Sequence, residues 1–149
     1  MSRREIREHL FRLLFRREFH DSQELREQTA LYFEALEKCP SLDEQDYISE
    51  RLYKVMDKVP EIDQKLDNVS KGWRLNRMGK VDLTILRLAA FEIFFDDDIP
   101  IGVAINEAVE IAKKYGEEHS ASFINGILGR LVSNEDAEEA DSQEAGGTV

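Results

Sequence analysis

The most concentrated cationic chemistry in the chain lies in its first twenty residues. Six arginines (Arg3, Arg4, Arg7, Arg12, Arg16, Arg17) stand there against three acids (Glu5, Glu8, Glu18). A guanidinium binds phosphate through paired N–H donors and stacks on bases. At helical spacing, Arg3, Arg4 and Arg7 share the start of a first helix, and Arg12 and Arg16 follow four apart. They sit opposite an apolar stripe of Ile6, Leu10, Leu13 and Leu14. The chemistry this allows is phosphate and base contact. The competing reading is a solvated face partly neutralised by Glu5 and Glu8.

A second candidate is the segment from Gly116 to Gly126, which carries His119, Ser120 and Phe123. Ser120 has N-cap chemistry for a last helix. Phe123, Ile124 and Ile127 cannot all face one narrow core stripe, so Phe123 is expected partly exposed, where an aromatic ring can stack on a base. A core phenylalanine is the alternative. Within Asn125-Gly126, the glycine is expected to allow close helix packing.

Other chemistry is missing. His9, His20 and His119 are scattered, and no His-x-x-x-His or Cys-x-x-Cys pair offers metal-ligand spacing. There is no Gly-rich phosphate loop, nucleophile elbow or dinucleotide fingerprint. The acidic run Asp96-Asp97-Asp98 is expected to be a solvated loop, with capping a helix or repelling anions as alternatives. The single thiol, Cys39, cannot form an internal disulfide, and a reducing cytoplasm is the plain reading. The expectation is a non-enzyme with no catalytic residues, no metal and no cofactor.

The net charge of −11 argues by itself against binding nucleic acid. Its distribution argues otherwise. From Ser133 onward there are six acids (Glu135, Asp136, Glu138, Glu139, Asp141, Glu144) and no base, which leaves −5 for the rest and a net +3 head. Residues 133–149 are expected to be a disordered acidic tail, and residues 1–132 one helical domain. No apolar run is long enough to span a bilayer, and the amino terminus lacks the uncharged apolar stretch of a signal peptide.

Positioning these residues requires helices. Period-3.6 apolar stripes run from about Arg3 to Phe19; through Leu25, Thr29, Tyr32, Phe33 and Leu36; and through Ile48, Leu52, Val55, Met56 and Val59, ending at Pro60. A shorter fourth takes Ile62, Leu66, Val69 and Trp73. Val81 to Phe95 is apolar on most sides and should be central and buried. Val103 to Ala112 continues a sixth helix to a C-cap at Gly116. Phe123, Ile124, Ile127, Leu128 and Leu131 make the seventh. The class is all-α, a single bundle-like domain of seven helices.

Three stretches carry a family resemblance. They are Arg3-Arg4-Glu5-Ile6-Arg7-Glu8 with Leu13-Leu14-Phe15; Asp82-Leu83-Thr84-Ile85-Leu86-Arg87; and, most specific, Val103-Ala104-Ile105-Asn106-Glu107-Ala108 followed by Phe123-Ile124-Asn125-Gly126-Ile127-Leu128. Over about residues 3–132 the chain resembles the NusB family of bacterial antitermination factors. The resemblance implies a NusB-like bundle of two subbundles set across each other. It implies a factor that binds boxA-type single-stranded RNA together with NusE, a small-subunit ribosomal protein. That assembly joins an RNA polymerase antitermination complex that reads through terminators, notably in ribosomal RNA operons.

Carried over, the RNA-binding residues are Arg3, Arg4, Arg7 and Phe123, with His119 and Ser120 in the same loop, and the partner-facing ones are Phe15 and Asp82. Arg87 is expected either near that surface or paired with a carboxylate. Asn106, Glu107 and Asn125 are expected to be structural. The chain departs from the family pattern at Glu5, where a base is frequent, and at Phe15, where tyrosine is common. Two alternatives remain at this stage. One is a NusB-like accessory domain of the kind found in ribosomal-RNA methyltransferases, which the chain length argues against. The other is a homodimeric regulator that buries its RNA face.

Overall fold

The computed structural model describes residues 1–70 and 74–146, and Trp73 lies outside the described residues. Six α-helices follow one another: α1 (Arg3–Arg16), α2 (Ser22–Ala35), α3 (Leu42–Val69), α4 (Lys80–Phe95), α5 (Ile101–Tyr115) and α6 (Ser120–Gly146), with a short 3-10 turn at Leu75–Arg77. Among the described residues there is no strand.

The starts of the first three helices are written locally. Ser2 caps α1 by accepting from the Glu5 amide. Asp21 with Glu24, and Ser41 with Glu44, form reciprocal capping boxes on α2 and α3. Pro100 precedes α5, where its missing N–H has no helical partner to lose. Beyond Arg16 the chain tightens into i→i−3 turns through Phe19, short of the helical stripe expected there.

Two expectations of helix count and extent are corrected. The third and fourth expected helices are one, because α3 runs through Pro60. Proline removes one helical hydrogen bond and crowds the preceding turn. Here Val59, Ile62, Leu66 and Val69 are all buried on the core face while Pro60 is exposed, so packing on both sides holds the helix continuous. The count is six α-helices rather than seven. The second correction concerns the tail expected to be disordered over 133–149: α6 runs helical to Gly146, and residues 147–149 lie outside the described residues. The segment is rich in Ala and Glu, which favour helix, and the Lys65 ammonium of α3 holds the Glu135 carboxylate at 3.1 Å.

The shared element is α4, which packs against α1, α3, α5 and α6. Its residues Leu83 to Glu92 are buried without interruption, as an all-round apolar helix should be. Alanines at 104, 108 and 112 of α5 are buried in the adjoining packing, where small side chains let helices approach. One contiguous core joins Leu10, Leu13 and Leu14 of α1 to Ile124, Ile127, Leu128 and Leu131 of α6.

Candidate RNA- and partner-binding surface

The α1 arginines divide into distinct environments. Arg3 and Arg4 are exposed. Arg7 is 7% exposed and faces inward. Its Nε donates to Glu92 Oε1 at 2.7 Å, and its Nη1 stands 3.6 Å from Glu107 Oε2. This corrects the expected placement opposite the apolar stripe: Arg7 lies on the same inward face as Leu10 and Leu14, one and two helical turns before them. Burial of a guanidinium is tolerated because a carboxylate meets it. Burial pushes the Glu92 carboxyl above its ordinary range, against the pull of Arg7.

Arg4 pairs in both N–H directions with Glu107 of α5, at 3.1 and 2.8 Å. That bond, with the Arg4 and Arg7 charges, holds Glu107 below the usual carboxylate range although partial burial opposes it. One turn further along α1, the Glu8 carboxylate accepts from Lys114 Nζ of α5 at 2.5 Å and from Arg12 Nη2 at 2.9 Å, and the Tyr115 hydroxyl donates to the same oxygen. Arg12 Nε in turn donates to the Tyr115 hydroxyl at 2.8 Å. Arg4 meets residue 107 and Arg12 meets residue 115, so α1 and α5 run parallel along a polar seam.

The seam brings the end of α1 to the loop between α5 and α6. One cleft of about 370 Å³ is lined by Phe15, Lys80, Asp82, Tyr115, Gly116, His119 and Ser120. The structure thus assembles Phe15, Asp82, His119 and Ser120, residues far apart in the chain, around a single hollow. Ser120 is the first residue of α6 and only 1% exposed. Its hydroxyl accepts from the Glu117 amide at 2.9 Å, closing the loop rather than capping its own helix. Gly116 is the C-cap of α5 as expected, for a reason of space. A Cβ there would fall 2.6 Å from the Ser120 Cβ and Oγ and 2.8 Å from the Ala112 carbonyl.

Phe123 lies one turn into α6, its amide bonded to the His119 carbonyl, and its ring is half-buried against the core. By contrast, Arg3 and Arg4 sit at the opposite end of α1, roughly 16 Å from Phe15 at 1.5 Å per residue. The guanidinium cluster and the start of α6 therefore do not adjoin. They occupy the two ends of one parallel helix pair.

Several expectations at single residues are settled. Arg87 is paired: Asp63 of α3 takes its Nε and Nη2 at 2.9 and 2.8 Å, and Glu18 takes its Nη1 at 2.6 Å. Gly126 does not serve close packing, since a Cβ there meets nothing within 4 Å. Asn106 and Asn125 are exposed rather than buried, and Glu107 is the anchor of Arg4.

Sequence reasoning passed over Lys80, Lys114, Tyr115 and Phe19. Phe19 is 57% exposed, with the Lys80 ammonium 4.7 Å from its ring centre. It borders a mostly apolar groove with Phe11, Phe15, Arg12, Arg16, Tyr32, Val81 and Tyr115. The period-4 recurrence Phe11, Phe15, Phe19 beside Arg12 and Arg16 was the available signal.

Among the described residues, no group of His, Cys, Asp and Glu could hold a metal, and no helix is long and apolar enough to cross a membrane. What the fold and surface define is an all-helical protein whose exposed cations and aromatic rings gather along one parallel helix pair. The chain belongs to the NusB family, whose model matches residues 4–133. It is 59% identical over 132 residues to a transcription antitermination protein NusB of Lachnoclostridium phytofermentans, covering 89% of this chain and 99% of that protein. A namesake from Agathobacter rectalis is 50% identical, with 89% and 100% covered. Among solved structures, T. maritima NusB aligns with a TM-score of 0.76 at 35% identity, over 89% of this chain and 92% of that one.

Proposed function

We propose that this protein is a transcription antitermination factor that binds a boxA-type single-stranded RNA together with the ribosomal protein NusE. The observation that carries the reading is the 59% identity, over 89% of this chain, to a protein named a transcription antitermination protein NusB. The surface supports it. Exposed Arg3 and Arg4 offer phosphate contacts at the start of α1. The half-buried Phe123 ring and His119 offer base contacts at the start of α6. A single strand laid along the α1–α5 seam meets both ends in turn.

Phe15 and Asp82 present an apolar and an acidic contact at the adjoining cleft, suited to a basic ribosomal partner. Arg7 and Ser120 belong to the same surface as positioning residues, since both are buried and fix its helices. The complex then joins RNA polymerase in the cytoplasm and supports read-through, notably of ribosomal RNA operons.

With a net charge of −11, the protein alone repels phosphate at a distance, so the basic partner completes the positive surface. Fluorescence anisotropy on a boxA RNA, with and without NusE, tests this. Affinity should rise sharply with the partner, and equal affinity in both cases defeats the reading. A homodimer that buries the RNA face would instead appear as a two-chain species in gel filtration that NusE converts to a heterodimer.

A further inference from the structure

We propose that Glu8 occupies a ready-made oxyanion site on the α1–α5 seam, and that a backbone phosphate of the RNA displaces it. The inference rests on the RNA-binding reading above. Three donors from two helices converge on one oxygen: Arg12 Nη2 at 2.9 Å, Lys114 Nζ at 2.5 Å and the Tyr115 hydroxyl all address Glu8 Oε1. An i,i+4 Glu–Arg pair on one helix is ordinary. The convergence of an ammonium and a phenol from α5 on the same atom is not explained by that pairing.

Two of the three donors, the Arg12 guanidinium and the Tyr115 hydroxyl, do not depend on Glu8 for their placement, and the Lys114 ammonium rides on an exposed, flexible stem. Arg12 Nε is tied to the Tyr115 hydroxyl at 2.8 Å, and Arg12 Nη1 reaches the Tyr32 hydroxyl at 3.5 Å. Tyr32 is braced by His9 Nδ1 at 2.5 Å. If the carboxylate swings out, the guanidinium and phenol stay where they are, so an incoming oxyanion meets preorganised donors. A phosphate oxygen suits the fork of Arg12 and the point charge of Lys114.

Access and local charge agree. The Lys114 side chain is 58% exposed and that of Arg12 37%, and the cluster opens on a cleft of about 340 Å³ between α1 and α5. The other carboxylates of that cleft are engaged elsewhere, Glu107 on Arg4 and Glu110 on Lys113. With Glu8 displaced, Arg12 and Lys114 are left uncompensated. The site lies between Arg4 and the start of α6, the stretch of seam that a strand touching both ends must cross. Glu8 thus acts as an internal counter-anion that masks the site until RNA arrives.

The test is RNA anisotropy in the presence of NusE across a salt series, comparing the natural protein, Glu8→Gln and Lys114→Ala, with thermal melting of each. Glu8→Gln should bind RNA more tightly, with a log–log salt slope steeper by about 0.7, the value of one added single-strand phosphate contact. Lys114→Ala, an exposed change, should weaken binding and flatten the slope by a similar amount, with the fold retained and only a small fall in melting temperature. In parallel, inorganic phosphate is titrated while the amide resonances of residues 114–116 are followed. Saturable shifts are expected in Glu8→Gln, and weaker ones in the natural protein.

If Glu8 only fastens α1 to α5, Glu8→Gln lowers the melting temperature and RNA affinity stays level or falls, which overturns the proposal. Unchanged binding by Lys114→Ala overturns it as well, even should Glu8→Gln fail to fold. RNA left unbound by every form, with phosphate shifts present, would sink the RNA reading and leave the oxyanion site standing.

Discussion

Arg7 and Glu92 meet inside the core, side chains 8% and 5% exposed, with nitrogen and oxygen 2.7 Å apart. The pair ties α1 to the central helix. Removing one partner of a buried ion pair strands the other charge, which typically costs about 3–5 kcal/mol. Arg7→Ala should therefore lower the denaturation midpoint strongly. The double variant Arg7→Met with Glu92→Leu should recover much of the loss, as urea titration will show. Any RNA defect of Arg7→Ala then reads as a displaced α1 rather than a lost phosphate contact.

Arg3 offers the opposite case. It is exposed, and no ion pair to it is found among the described residues. Arg3→Ala should leave thermal melting unchanged while weakening RNA binding and reducing the salt slope by about 0.7. An identical slope in the variant would remove the amino-terminal turn from the RNA path.

Phe123 is half-buried against the core, so its replacement acts on two properties at once. Phe123→Ala should cost about 1–3 kcal/mol of RNA binding if the ring stacks on a base. Phe123→Leu keeps much of the apolar contact and loses the stacking face. Restored melting without restored RNA affinity in Phe123→Leu is the expected signature of stacking, and joint recovery would assign the ring to the core alone.

Gly116→Ala places a methyl 2.8 Å from the Ala112 carbonyl and 2.6 Å from the Ser120 side chain. The backbone contact cannot rotate away, so the loop must shift, at a cost of about 1–3 kcal/mol. Because this loop walls the cleft holding Phe15, Asp82 and His119, NusE affinity should fall along with stability. Calorimetric titration with NusE, beside a melting curve, checks both.

Acid should loosen the seam. Partial burial would raise Glu8, but the Lys114 and Tyr115 bonds and the Lys114 and Arg12 charges hold it below the ordinary 4.5. A carboxylate with a depressed folded value contributes stability above the unfolded value, and loses it as pH falls through the folded one. The stability difference between the natural protein and Glu8→Gln should be present at neutral pH and shrink once pH drops below about 4.5. Glu92 carries the opposite sign, because burial raises it: its contribution is greatest in acid and declines as pH rises through its elevated value. Urea midpoints measured from pH 7 to 3 separate the two.

Residues close in the chain determined most of the secondary structure. The 3.6-residue stripes, the caps at Asp21 and Ser41 and the all-round apolar character of α4 are local properties, each readable from neighbours within a turn or two. The motifs around Val103 and Phe123 likewise carried the family. Tertiary structure decided the rest. Pro60 reads locally as a stop, yet buried Val59 and Ile62 on either side keep α3 continuous past it. Arg7 reads as one more surface cation, and only Glu92, 85 residues away, turns it inward. The gathering of Arg12, Lys114 and Tyr115 on Glu8 joins residues of two helices that stand more than 100 positions apart in sequence. Periodicity reports which face of a helix is apolar; it carries no record of which distant charge a polar side chain will meet, because that is set by how whole helices dock.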